Sequence, residues 1–245
     1  MNGENEISKL KEEIKKLKEE KRGLQKIISH DIKSPFNRVF SLIHLMRMSE
    51  DNLDDEQREY LDTMHLAIIS GIDMIKNLNA IRELDQGDLQ IDLETVSLKA
   101  VFQRLYRDFL LVAEMKSIEL AVGNVLDNEY LISADAYYVE RTIYQVVTNA
   151  LKYCHKGEKI NLNIEPEGEW VVFSCKDTGP GLKKEEQTKL FSKFNKCSNT
   201  PTGGEGQTGL GLYLVNTYQK AMNGKVEFIS GDDKGVTVSL IFKKA

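Results

Sequence analysis

The stretch "TGGEGQTGLGL", residues 202–212, sets glycines at Gly203, Gly204, Gly206, Gly209 and Gly211, just ahead of an apolar helical pattern spanning about 210–223. Glycines crowded before a helix expose backbone N–H groups at its N-terminus, which suits phosphate. No Lys-Ser or Lys-Thr follows the last glycine, so the stretch is not a P-loop. No parallel strand leads into it and no βαβ unit follows, so it is a poor dinucleotide fingerprint as well. A mobile linker is the competing reading of the glycines by themselves.

Working outward, "DTGPGL", residues 177–182, ends an apolar strand at Asp177 and continues through Gly179, Gly181 and Leu182. A buried Asp at a strand end can accept a hydrogen bond from an exocyclic amine, and glycines allow close backbone approach. By itself the segment reads first as a plain turn with a helix cap. Further upstream, "QVVTNALKY", residues 145–153, is helical. Gln145, Asn149, Lys152 and Tyr153 fall at i, i+4, i+7 and i+8 and share a face, while Val146, Val147, Ala150 and Leu151 take the core-facing arc. Such a stripe can hold a magnesium ion, a phosphate and a base edge. An ordinary wet helix face is the plainer reading of the stripe in isolation.

Around these segments strands and helices alternate. Strands are expected near 89–94, 117–122, 129–133, 159–166, 169–177, 225–230 and 235–242. Helices are expected near 97–115, 135–154, 183–191 and 210–223. Antiparallel hairpins with several helices predict an α/β sandwich rather than a doubly wound sheet.

The N-terminal third differs. Ile7, Ile14, Lys21 and Ile28 recur every seven residues, and Leu10, Leu17 and Leu24 follow three positions after the first three of them. That a/d seam predicts a parallel coiled coil or bundle, and hence a homodimer. The apolar face continues through Phe36, Val39, Ile43 and Met46. Asp54 or Asp55 caps a second helix from about 56 to 84. The first 85 residues thus read as a helical hairpin that becomes a four-helix bundle in a dimer. Pro35 interrupts the first helix four residues after Asp31, whose carbonyl loses its usual partner, so a soft joint is expected there.

Composition narrows the classes. Hydrophobic content of 41% and charged content of 29% fit a globular chain of 245 residues. A net charge of −5 gives no electrostatic support for a nucleic-acid partner. No apolar run reaches the ~20 residues of a membrane helix, and the Lys/Glu-rich start is no secretory signal. Cys154, Cys175 and Cys197 lack CxxC spacing, so a reducing cytoplasm without disulfides is expected, and a structural metal is not.

The order "N-A-x-K-Y", "D-x-G-x-G-L", "L-F-x-x-F" and "G-L-G-L" resembles the N, G1, F and G2 boxes of sensor histidine kinases. These belong to the GHKL (Bergerat) ATPases, with type II topoisomerases, MutL proteins and the large heat-shock chaperones. "SHDIKSP", residues 29–35, resembles the kinase H box, and its position in a dimerising hairpin matches that family. The resemblance covers the chain from about residue 20 onward. It implies an α+β chain: a lead-in helix over 1–27, a dimerisation and phosphotransfer hairpin over 28–86, and an ATP-binding domain over 89–245.

On the heptad frame His30 falls at position c and faces solvent. The resemblance implies that neutral His30 attacks the γ-phosphate of ATP while Asp31 orients the ring. Asn149 then coordinates Mg2+, with Gln145 acting through water; Lys152 contacts phosphate and Tyr153 packs on adenine. Asp177 receives the adenine amino group, and Gly179, Gly181 and Leu182 shape the ring's slot. Residues 195–208 form an ATP lid, hinged by Gly209 and Gly211, and Thr208, Leu210 and Leu212 belong to the ATP site. Phe191 and Phe194 support that lid and dock it on the bundle, and either Lys193 or Lys196 nears phosphate. His44, His65 and His155 are assigned to surface or structure.

Gln145, Arg141, Thr178 and Ser34 depart from the commonest family residues. Ser34, four residues after His30, keeps the hydroxyl that a phosphatase activity would use. The expected partner is a response-regulator receiver domain. The expected location is the cytoplasm, for a separate protein or the cytoplasmic part of a longer kinase. The alternatives are an ATP-gated dimer with His30 incidental, or a degenerate kinase acting as scaffold or phosphatase.

Overall fold

The computed structural model describes residues 12–13, 15–17, 23, 32–48, 53–123, 129–231 and 235–245. His30, Asp31 and the heptad positions other than Leu17 lie outside the described residues.

Two antiparallel helices come first, α1 (Lys33–Arg47) and α2 (Asp55–Gln86). Asp54 caps α2: its side chain accepts from the Gln57 amide at 2.8 Å, and Gln57 Oε1 accepts from the Asp54 amide at 3.2 Å. Gly87 ends α2 at φ 76°, the left-handed geometry that favours glycine there. The hairpin register follows from three contacts. A Cβ on Gly71 would lie 2.2 Å from the Phe36 ring, Phe40 meets His65 edge-on at 5.3 Å, and Arg47 pairs with Asp62. Ile43, Leu61, Leu66 and Ile75 are buried, with Leu66 lying beside Gly203, whereas Val39, Leu42, Leu45, Met46, Tyr60 and Met64 stay exposed. Pro35 lies in α1, and Ile32 ahead of it keeps helical angles (φ −80°, ψ −37°); the joint expected at the Asp31 carbonyl lies outside the described residues.

The second unit is built from β1 (Glu94–Ser97), α3 (Leu98–Met115), β2 (Glu119–Val122), β3 (Leu131–Ala134), α4 (Ala136–Tyr153), β4 (Lys159–Glu167) and β5 (Trp170–Asp177). The short α5 (Lys184–Gln187), then α6 (Gly211–Ala221), β6 (Lys225–Ser230) and β7 (Val236–Lys243) complete it. One sheet runs β2-β4-β5-β7-β6, antiparallel except for β2 beside β4, and β1 pairs with β3 separately. Alternation along the strands buries Ile160, Leu162 and Ile164 of β4, Val171 and Phe173 of β5, and Leu240 and Phe242 of β7. They pack against Phe102 and Phe109 of α3, Ile143 and Val147 of α4, and Leu214 and Val215 of α6. Helices thus form one layer over one sheet face, the expected α/β sandwich.

Two elements differ from expectation. The strand expected near 89–94 pairs only from Glu94, because β3 runs opposite 94–97 and leaves Leu89 and Ile91 to pack without a strand neighbour. The helix expected over 183–191 stops at Gln187. Beyond it Leu190 N–H reaches Gln187 O at 3.3 Å and Ser192 N–H reaches Lys189 O at 2.9 Å, the shorter span of tight turns. Ala80 and Ile81 of α2 join the core of this second unit, so the hairpin is seated on it.

Candidate active site

A cavity opens between α4, the ends of β5 and β7, and the loop that precedes α6. Asp177 sits on its floor at 8% exposure. Its Oδ1 accepts from the Gly179 amide at 2.9 Å and the Val236 amide at 3.1 Å. Both amides fall on Oδ1, which leaves Oδ2 as the carboxylate's second acceptor. Burial pushes the Asp177 carboxyl up, and the two amides oppose that shift. The backbone at Asp177 allows nothing larger than glycine opposite: a Cβ at Gly235 would stand 2.0 Å from the Asp177 carbonyl oxygen. Thr178 ties the strand end to β4, with its Oγ1 accepting from the Lys159 amide at 2.9 Å.

The α4 stripe forms the opposite wall with Gln145, Asn149, Lys152 and Tyr153. It is not wet along its length, since Gln145 is 3% exposed. Gln145 Nε2 donates to Asp73 Oδ1 at 2.8 Å and Asn77 Oδ1 at 3.0 Å, both on α2. Its Oε1 turns the other way. A Cβ built on Gly211 would lie 2.5 Å from Gln145 Oε1 and 3.6 Å from Asn149 Nδ2. Burial holds the Lys152 ammonium below its ordinary value, with nearby Glu205 opposing, and pushes the Tyr153 phenol up to about 12.

The glycine-rich loop closes over the stripe. Lys152 Nζ donates to the Gly206 carbonyl. The Thr202 amide donates to Lys152 O at 3.0 Å, and Thr202 Oγ1 donates to Cys154 O at 2.8 Å. Gly206 N–H donates to Ser70 Oγ of α2 at 3.0 Å. Lys116, at the end of α3, pairs with Glu205 at 2.8 Å with side chains only 6% and 9% exposed. Gly209 is at φ +67°, and a Cβ there would stand 2.5 Å from the Asn195 carbonyl oxygen, so this hinge requires glycine.

Gln145, Asn149, Lys152, Tyr153, Asp177, Gly181, Leu182, Thr208, Gly209, Gly211 and Leu212 therefore share one cavity. Gly179, Phe191, Phe194 and Leu210 do not line it. Gly179 braces Asp177, Leu210 is buried at the start of α6, and Phe194 is 61% exposed at φ +61°. Of the two lysines, Lys196 lines the cavity, whereas Lys193 pairs with Asp85 at 2.6 Å and lies over the Tyr213 ring. Ser34 is exposed on α1. His65 is buried in the hairpin, while His44 and His155 are exposed.

Sequence reasoning missed Asp73, Asn77, Lys116 and Glu205. A trace of the first two was legible: Asp73 and Asn77 stand at i, i+4 in "GIDMIKNLNA", so they share a helix face. The side-chain amides of Asn149 and Gln145 supply hard oxygen donors of the kind Mg2+ accepts while keeping most of its waters, so the residues present fit that ion. Among the described residues no cluster of three or more His, Cys, Asp or Glu forms a metal site, and no helix is long and apolar enough to cross a membrane.

Comparison with known proteins bears on this arrangement. Residues 20–87 match the "His Kinase A (phospho-acceptor) domain", and residues 134–245 match the "Histidine kinase-, DNA gyrase B-, and HSP90-like ATPase" family. The Vibrio cholerae autoinducer 2 sensor kinase/phosphatase LuxQ is 26% identical over 212 residues, covering 83% of this chain and 24% of that protein. The chain spans about a quarter of the length of the curated relatives it matches. Full-length ShkA, solved in complex with AMPPNP, superposes with a TM-score of 0.59 at 23% identity, over 91% of this chain and 46% of that one. The Acinetobacter baumannii histidine kinase AdeS gives 0.55 at 17% identity, over 88% and 98%. With a phospho-acceptor region ahead of a kinase-type ATPase domain, the chain belongs to the sensor histidine kinases of two-component systems.

Proposed function

We propose that this chain is an ATP-dependent protein-histidine kinase core. It phosphorylates itself on His30 and passes the phosphoryl group to an aspartate of a response-regulator receiver domain. The observation that carries this reading is the single cavity joining Asp177, Asn149, Lys152 and the glycine hinge, set behind a phospho-acceptor hairpin. Asp177 receives the adenine amino group, and Tyr153 packs beside the ring. Lys152 leaves the Gly206 carbonyl for phosphate when nucleotide enters. Asn149 and Gln145 would hold Mg2+. When bound, that ion offsets charge on the phosphates during in-line transfer.

A neutral His30 ring nitrogen forms the new N–P bond while the bond from the γ-phosphorus to the β-bridging oxygen breaks and ADP departs. Asp31 takes the hydrogen bond, and then the proton, from the other ring nitrogen. Residues 28–86 act as dimerisation and phosphotransfer hairpin, 1–27 as lead-in helix and 89–245 as ATP-binding domain. The exposed stripe of Val39, Leu42, Leu45, Met46, Tyr60 and Met64 supports a homodimer that pairs two hairpins. Exposed Ser34 supports a phosphatase activity toward the same regulator. The kinase works in the cytoplasm.

Incubation with γ-labelled ATP tests the reading. Acid-labile, base-stable label that disappears in His30→Ala is the expected result. Nucleotide binding and hydrolysis with no labelled protein would overturn it in favour of an ATP-gated dimer.

A further inference from the structure

The amide of Gln145 has two ends, and only its oxygen serves a metal ion or the water on it. A chain of donors and acceptors decides which end faces the cavity, and it begins at Arg141. A guanidinium can only donate. Arg141 Nη2 donates to Asn77 at 2.9 Å, so the Asn77 atom it meets is Oδ1. Asn77 Nδ2 then faces Asp73 Oδ2 at 2.9 Å. Gln145 approaches Asn77 Oδ1 and Asp73 Oδ1, both acceptors, so it must present Nε2 to them. Oε1 is thereby turned toward Gly211 and Asn149. Arg141 and Gln145, two of the positions where this chain departs from its family's common residues, are thus the ones that α2 holds.

We propose that Asp73 and Asn77 are positioning residues for the metal site: the phospho-acceptor hairpin, seated on the ATPase domain, sets the oxygen of Gln145 toward the ion. The inference rests on the assignment of Mg2+ to Asn149 and Gln145. It gives the hairpin a direct hold on metal-dependent nucleotide binding, because undocking α2 frees the amide to rotate.

The test is a Mg2+ titration of trinitrophenyl-ATP binding to the whole chain, with adenosine binding in EDTA as the metal-free reference. Asp73→Ala/Asn77→Ala is expected to raise the Mg2+ concentration for half-maximal binding about tenfold or more, the usual effect of removing groups that orient a ligand. Adenosine binding stays unchanged, which a misfolded variant could not achieve. Adding Gln145→Glu to that double variant is expected to restore the Mg2+ dependence, since a carboxylate presents oxygen in either rotation. An unaltered Mg2+ dependence, a parallel loss of adenosine binding, or failure of Gln145→Glu to rescue each overturns the inference. If the unchanged chain binds nucleotide without regard to Mg2+, the metal assignment falls together with it.

Discussion

The buried pair Lys116–Glu205 holds the glycine-rich loop, and Lys116→Met strands the carboxylate. The two charges stand 2.8 Å apart with side chains 6% and 9% exposed. Removing one partner of such a pair costs about 3–5 kcal/mol while the other charge stays buried. Glu205 sits on a loop, so it escapes that penalty by carrying the loop into water. The penalty therefore emerges as easier loop opening. Taking about 3 kcal/mol, the open population rises by about two orders of magnitude. Two amides report it directly: Gly203 N–H, bonded to Glu205 Oε2 at 2.8 Å, and Gly206 N–H, bonded to Ser70 Oγ at 3.0 Å. Native-state hydrogen exchange is expected to show both exchanging about a hundredfold faster in Lys116→Met, with the amides of β5 unchanged. Lys116→Met/Glu205→Leu leaves no stranded charge and recovers most of the protection. If exchange at Gly203 and Gly206 in Lys116→Met stays within about threefold of the unchanged chain, under about 0.7 kcal/mol, the pair does not hold the loop and the reasoning fails.

Four further outcomes follow from the structure. Asp177→Asn must spend its oxygen on the Gly179 and Val236 amides and turn its NH2 outward, so calorimetry should show adenine-nucleotide affinity falling about a hundredfold, or about 3 kcal/mol. The pH dependence has a definite sign. Burial raises the folded-state value of Asp177, so its contribution to stability is present below the ordinary carboxylate range and is lost as pH rises through the raised value. Nucleotide affinity runs oppositely, weakening as pH falls through that window, and titration calorimetry at stepped pH checks it. Gly209→Ala meets both a φ of +67° and a Cβ 2.5 Å from Asn195 O; the strained backbone alone costs about 1–3 kcal/mol, visible as a lower melting temperature with weakened nucleotide binding. Gln219 is fully buried, and neither side-chain polar atom has a hydrogen-bond partner among the described residues. Gln219→Met removes both atoms at similar volume and is expected to stabilise by about 1–2 kcal/mol, raising the melting temperature by about 2–8 °C.

Much of the molecule was legible from neighbours along the chain. The Asp54–Gln57 cap, the long helix to Gln86 and the paired strands 159–167 and 170–177 depend on local periodicity and capping, which act over a few residues. The cavity-lining stripe at Gln145, Asn149, Lys152 and Tyr153 was readable for the same reason, because helical spacing alone sets which residues share a face. Where the local signal misled, it did so for want of a partner: Leu89 and Ile91 alternate like a strand but have none beside them. What chain closure decided was every pairing across long separations. Lys116 finds Glu205 across 89 residues and Gln145 finds Asp73 across 72. Lys196 lines the cavity, whereas Asp85 and Tyr213 hold Lys193 elsewhere. Those contacts depend on how α2 and the glycine-rich loop dock on the sheet domain, and no spacing along the chain encodes which polar groups meet once water is excluded.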